Sequence, residues 1–228
     1  MSYRIPNLTN KQTKSTLICL SSGQIEKIYL EKILKNKNKI DYHNTDSELN
    51  QLDFRHENEE KASKAIDGIC DIIKYKLNDQ LSFGCQNSNY LLVVIMDCDK
   101  APFIAFDKLK KTIKNIISNN DKFNGIKYYF VFSYRGFEDW MQFYYNDGNG
   151  LTKNPKSIKK EVKKDIKNGK DIIFNNHKKA VENYYEMTEY RNPVDSYAEI
   201  EIKLKTPYSD FPYFFEFLDT HYKTKILN

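Results

Sequence analysis

Asp97 and Asp99 stand two residues apart, immediately after the most apolar run of the chain, Tyr90-Leu91-Leu92-Val93-Val94-Ile95-Met96. Side chains at i and i+2 of an extended segment point to the same side, so this spacing brings two carboxylates together. Two carboxylates that close repel one another unless a cation sits between them. Hard oxygen ligands of this kind suit Mg²⁺ (or Mn²⁺). Mg²⁺ takes one or two carboxylates and completes its shell with waters and phosphate oxygens. A metal held there polarises a phosphodiester and helps form the attacking hydroxide. A D-x-D pair by itself also reads as a solvated strand end. Its place after the most buried strand is what favours a site.

The second feature is Ser133-Tyr134-Arg135-Gly136-Phe137-Glu138-Asp139-Trp140. It begins where a strand ends and runs into a helix. Glu138 in the first turn favours the positive end of that helix. Two readings stay open: a capping arrangement built on Ser133 or the Gly136 turn, or a third carboxylate beside the aspartates. Arg135 is placed to contact a phosphate. The third feature is a concentration of positive charge. Between Leu151 and Ala180 there are ten Lys against Glu161, Asp165 and Asp171, in a chain whose formal net charge is only +5. Lys159, Lys160, Lys163, Lys164 and Lys167 are the candidates to meet a nucleic-acid backbone. The alternative is a solvated helix face in a Lys- and Asn-rich chain.

These residues need elements to place them. Thr16 to Leu20 reads as a buried strand that stops at Ser21-Ser22-Gly23, and Ile25, Ile28, Tyr29, Ile33 and Leu34 then recur at helical spacing. Ile40 to His43 reads as a short strand and residues 57 to 77 as a helix, which Gly68 weakens by about 1 kcal/mol. Tyr90 to Met96 is the clearest strand, apolar throughout as a strand buried on both faces is. A helix carrying Phe106, Leu109, Ile113 and Ile117 follows, then a strand from Ile126 to Phe132 and a helix from Phe137 to Tyr145. This β-α-β-α-β-α-β order predicts an α/β fold, with a parallel sheet covered by helices. In such sheets ligands bind along the C-terminal edge of the strands. That edge gathers Ser21-Ser22-Gly23, Asp97-Cys98-Asp99 and Ser133 to Glu138. Residues 16–146 are expected to form the core, and 147–228 a basic helical and aromatic extension packed on it. A break is expected near Asn168-Gly169, and Glu199 to Leu204 reads as helix or strand.

Composition narrows the class. With 228 residues, 40% hydrophobic and 14% aromatic, the chain has enough apolar surface for a core and is not a disordered sequence. Its longest apolar run is far short of the roughly 20 residues of a membrane-spanning helix. The start of the chain has no apolar signal region, so the cytoplasm is the expected compartment and no membrane partner is expected. Cys19, Cys70, Cys85 and Cys98 form no C-x-x-C pair, which argues against zinc and against a disulfide framework. The four His residues are scattered and read as surface or cap positions.

With these motifs in place, the chain resembles the RloB-like family, Toprim-related proteins found near restriction and phage-defence genes. The family's first motif, similar to Glu-Gly-x-Thr-Glu-x-x-Tyr, reads here Ser22-Gly23-Gln24-Ile25-Glu26-Lys27-Ile28-Tyr29. Its later block, Ser-Asn-Pro-x-Phe-Glu-x-Trp, matches Ser133 to Trp140, and a weaker echo of an Asn-Pro segment falls at Asn192-Pro193. The resemblance covers about residues 16 to 204. It implies a Toprim-like, four-stranded, mainly parallel sheet flanked by helices, with a helical C-terminal extension. It also implies a Mg²⁺-dependent nuclease in which Asp97 and Asp99 hold the metal and Glu138 completes the acidic cluster. Two departures stand out. Ser22 occupies the position of the Toprim glutamate, leaving Glu26, one helical turn later, as the acid–base group. The Asn-Pro of the second motif is missing, with Arg135-Gly136 and a shifted Tyr134 in its place.

Three readings follow. One is a Toprim-type nuclease of phage defence acting on DNA or RNA. Another is a catalytically degenerate nucleic-acid-binding or sensor subunit working beside an ATPase or another effector, which Ser22 favours. The third is a helix-rich interaction protein whose acidic residues are incidental. Self-association is left open in all three.

Overall fold

A computed structural model describes residues 15–21, 23–35, 37, 40–44, 59–81, 90–97, 102–134, 136–145, 155–188, 190–198 and 208–227. The first half alternates strand and helix: β1 (Ser15–Ser21), α1 (Gln24–Leu34), β2 (Ile40–Asn44), α2 (Glu59–Gln80), β3 (Tyr90–Asp97), α3 (Phe103–Ser118) and β4 (Lys127–Ser133). The second half adds α4 (Phe137–Met141), which tightens into a 3-10 turn (Gln142–Tyr145). It continues with α5 (Pro155–Asn168), α6 (Asp171–Phe174), α7 (His177–Met187) and α8 (Phe211–Tyr222). Glu199 to Leu204 lies outside the described residues. Among the described residues no helix is long and apolar enough to cross a membrane.

The protein is α/β, with a parallel sheet flanked by helices. β1 and β3 form its centre and β4 pairs with β3, with Thr16 opposite Tyr90 and Leu91 opposite Lys127. β2 pairs in parallel with the outer side of β1, giving the order β2-β1-β3-β4. All residues from Tyr90 to Met96 are buried, which is why β3 has no alternation of polar and apolar residues. In β4 the alternation is aromatic on both sides. Tyr129 meets Phe214 and Phe217 of α8, while Phe132 meets Phe103 and Phe106 of α3 and stacks on Tyr197. α2 packs on α3, and its interior Gly68 is tolerated because Ile66, Ile69, Cys70, Ile73 and Leu77 are all buried.

The order of the strands has a consequence. The connection from β1 leads outward to β2, and the one from β3 leads to β4 on the opposite side. The strand order therefore reverses between β1 and β3, and at such a point the two connections diverge and leave a crevice at the C-terminal edge.

Two buried or half-buried carboxylates tie the later segments to the sheet. Asp107 of α3 accepts hydrogen bonds from Ser196 Oγ (2.7 Å) and from the backbone N–H groups of Tyr197 (2.8 Å) and Ala198 (3.1 Å). Asp210 is buried, and its carboxylate accepts from the hydroxyls of Tyr197 and Tyr208 and from the Phe132 N–H. Burial raises its carboxyl above the usual range against the pull of those hydrogen bonds. Around it, Ser133 bridges Ser209, and the Tyr134 N–H donates to the Tyr208 carbonyl, so this segment covers the free edge of β4.

The break at Asn168-Gly169 is a helix stop of a recognisable kind. Gly169 has φ +65°, its N–H bonds the Ile166 carbonyl, and the Lys170 N–H bonds the Asp165 carbonyl. Lys32 of α1 then donates to the carbonyls of Ile166 (2.7 Å) and Lys167 (3.2 Å), fastening α1 to the end of α5.

Asp210→Ala leaves two buried tyrosine hydroxyls and one buried N–H without their acceptor. At about 1–3 kcal/mol for each orphaned donor, urea unfolding of the variant is expected to show a loss of about 3 kcal/mol or more. A loss below about 1 kcal/mol would mean the clasp carries no weight.

Candidate functional site

Glu26 lies in the first turn of α1 and is buried, although Glu is among the side chains least often found inside a protein. Its side chain folds back across Gly23. A Cβ at Gly23 would lie 2.0 Å from Glu26 Oε2 and 2.3 Å from Oε1, so glycine is what leaves room for the carboxylate. Ser21, also buried, donates from Oγ to the Gly23 carbonyl at 3.0 Å and holds the turn from β1 into α1.

Asp97 ends β3, in register with Ser133 of β4. Glu26 is close enough to raise its titration, and the backbone N–H of Phe137, the first residue of α4, donates to it. Its Oδ1 is sealed from solvent and has no hydrogen-bond partner. Glu138 approaches from the other side. A Cβ at Gly136 would sit 3.0 Å from Glu138 Oε2 and 3.7 Å from Asp97 Oδ2, so the two carboxylate oxygens are no further apart than the sum of those distances. Gly136 has extended backbone that any residue adopts; its small size is what the site uses.

The Asp97 carboxyl titrates well above the ordinary carboxylate range. Burial is the largest cause, followed by the charges of Glu26 and Glu138, while the Phe137 N–H pulls it back.

Three expected site residues, Glu26, Asp97 and Glu138, therefore come together from segments more than 40 residues apart in sequence. Ser22, Asp99 and Arg135 lie outside the described residues. Among the described residues no three His, Cys, Asp or Glu groups form a ready-made metal cage. Of the two capping alternatives the Gly136 turn holds, its carbonyl accepting the Asp139 N–H at 3.0 Å, and Ser133 does not cap. Ser133 Oγ bonds Ser209 Oγ at 3.1 Å, and Gly136 precedes α4 as its N-cap with no side-chain cap.

The basic helix lies close by. α5 packs on α1 and on α4, the two helices that carry Glu26 and Glu138. It buries Val162 and Ile166 and exposes Lys160, Lys163, Lys164 and Lys167, whose i, i+3, i+4, i+7 spacing makes one outward stripe. Lys159 belongs to α5, but its side chain lies outside the described residues.

Sequence reasoning missed the polar groups inside the aromatic packing behind the site. His177 is buried, not a surface or cap residue. Burial and the nearby Lys37 charge lower its pKa to about 4, so it is neutral at pH 7. Its Nδ1 lies 2.7 Å from the Tyr144 hydroxyl. Tyr144 is bonded to the Tyr29 hydroxyl, which accepts from Trp140 Nε1 at 3.2 Å. The available signal was Tyr, in place of Phe, at the apolar positions 29 and 144.

Comparison with known protein families, with curated proteins and with solved structures finds no match for this chain.

Asp97→Asn is expected to stabilise the protein at pH 7 in the absence of divalent metal, and to give no such gain near pH 3. The sign follows from the raised carboxyl: folding disfavours its ionised form, a cost absent below the unfolded value of 3.8 that grows as pH rises. Thermal melts of wild type and variant from pH 3 to 8 measure it. Equal stability at every pH would contradict the strain.

Proposed function

We propose that this protein is a divalent-cation-dependent phosphodiester-cleaving enzyme, a nuclease of the Toprim-like kind that the motif resemblance implies, acting in phage defence in the cytoplasm. The observation that carries the proposal is the meeting of Glu26, Asp97 and Glu138 at the C-terminal edge, beside the reversal point between β1 and β3. The strand order β2-β1-β3-β4 is read as the Toprim-like sheet, with residues 147–228 as its basic and aromatic extension.

The donors fit Mg²⁺ or Mn²⁺: all are hard oxygens, one Asp97 oxygen is buried without a hydrogen-bond partner, and a cation would offset the crowding of acids around it. Asp97 would bind the ion, with Glu26 and Glu138 beside it. When bound, it polarises a phosphoryl oxygen and acidifies a water. Glu26 then has the position of the acid–base group, taking over the role that Ser22 lacks the chemistry to fill. The α5 stripe holds the phosphate backbone next to the acids, which by themselves would repel it. Asp99 and Arg135 keep the roles given them above, as a second metal carboxylate and a phosphate contact.

Ser22 supports a second reading, in which the same surface binds nucleic acid without cutting it and serves an ATPase or other effector. The two readings separate in one assay. Wild type is expected to nick DNA or cleave RNA with Mg²⁺ or Mn²⁺, and Asp97→Ala to lose that activity while remaining folded. A silent wild type that becomes active as Ser22→Glu supports the degenerate site. Full activity in Asp97→Ala overturns the metal role.

The stripe has its own signature. Replacing Lys160, Lys163, Lys164 and Lys167 with Gln is expected to reduce the dependence of log K on log salt by about 3 for a nucleic acid, since each phosphate contact contributes roughly 0.7–0.9. An unchanged slope, measured by fluorescence anisotropy, would remove α5 from the interface.

A further inference from the structure

We infer that Tyr29, Trp140, Tyr144 and His177 are positioning residues, and that their buried hydrogen-bonded chain fixes Glu26 and Glu138 against Asp97; the inference rests on the functional reading above. Tyr29 follows Glu26 by three residues on α1, and Trp140 follows Glu138 by two on α4. The bond from Trp140 Nε1 to the Tyr29 hydroxyl therefore joins the two acid-bearing helices one turn or less behind their carboxylates. Tyr144, on the 3-10 turn that continues α4, bonds Tyr29 a second time, and His177 at the start of α7 closes the chain.

Proton counting gives the chain a direction. The indole N–H of Trp140 can only donate, so the Tyr29 oxygen accepts from it. Tyr29 then gives its own proton to Tyr144, and Tyr144 gives its proton to His177 Nδ1, because in the reverse ordering the Tyr29 proton has no acceptor. That ordering requires Nδ1 to be unprotonated, as the neutral state of this buried imidazole allows. Four apolar side chains would fill the same space. What the hydroxyls and the ring nitrogens add is a fixed distance between α1 and α4, and so between Glu26 and Glu138.

The arrangement also explains why a carboxylate cluster persists beside a helix of only five residues. α4 is too short to hold Glu138 by its own hydrogen bonds. Trp140 is fully buried among Tyr29, Phe143, Tyr184, Phe211 and Phe215, and its position sets the orientation of the turn that carries Glu138.

The experiment compares wild type, Tyr29→Phe, Tyr144→Phe and, as a core control on the far face, Ile73→Val. Two amides report the starts of the helices: Lys27 N–H, which bonds the Gly23 carbonyl, and Asp139 N–H, which bonds the Gly136 carbonyl. Native-state hydrogen exchange in Tyr29→Phe is expected to speed up about three- to tenfold at these two amides, with α2 and α3 unchanged. Mn²⁺ affinity, read by titration with the metal alone, is expected to fall by a similar factor. Tyr144→Phe, which keeps the Tyr29–Trp140 bond, is expected to give the smaller effect. A uniform change across all helices, like that of Ile73→Val, or no change at Asp139, overturns the positioning role. If wild type takes up no Mn²⁺, the metal reading falls, and the exchange pattern still decides the chain.

Discussion

Carboxylates in a low-dielectric site resist being brought together, and the architecture of this protein is organised around overcoming that resistance at one place. Asp97 lies near Glu26 and Glu138, and its carboxyl titrates well above the ordinary range, first through burial and then through those two charges. Such an arrangement lowers stability, and perturbed acids of this kind are found more often at functional sites than elsewhere. The accompanying scaffold is correspondingly stiff: a sheet with a fully buried centre, a clasp across its edge, and aromatic packing under both acid-bearing helices.

Each acid reaches the cluster by a different device. Asp97 comes with the end of β3, so its place follows from strand register. Glu26 arrives because Gly23 leaves space for a side chain to turn back on itself. Glu138 arrives on a short turn whose position depends on Trp140. The extension beyond residue 147 contributes to the same end. α5 rests on α1 and α4, and Lys32 caps the end of α5 from α1, so the positive stripe and the acids share one support. Opposite charges at neighbouring places are what the proposed reading asks for, a polyanion brought up to a cluster of acids.

The strands and their order of connection were legible because burial writes itself into sequence: an apolar run such as Tyr90–Met96 has few other uses. The convergence of Asp97 with Glu138 was legible from topology alone, since both follow strands whose C-terminal ends must lie on one edge. Glu26 was legible only as a substitute for Ser22, because nothing in a helix pattern tells whether a first-turn glutamate faces solvent or folds back inward. Asp210 and His177 were not legible. A polar residue within an aromatic segment reads as exposed until its partners are known, and Tyr197 and Phe132 lie 13 and 78 residues away from Asp210. The hydroxyl chain was hidden for the same reason, since Tyr29 and Tyr144 are separated by 115 positions.

The most direct measurement is anomalous diffraction from crystals of the wild-type protein soaked in manganese chloride. A metal peak within about 2–2.5 Å of oxygens from Asp97 and at least one of Glu26 and Glu138, absent from crystals of Asp97→Asn soaked alike, is the predicted result. Manganese bound elsewhere, and none at Asp97, would contradict the account.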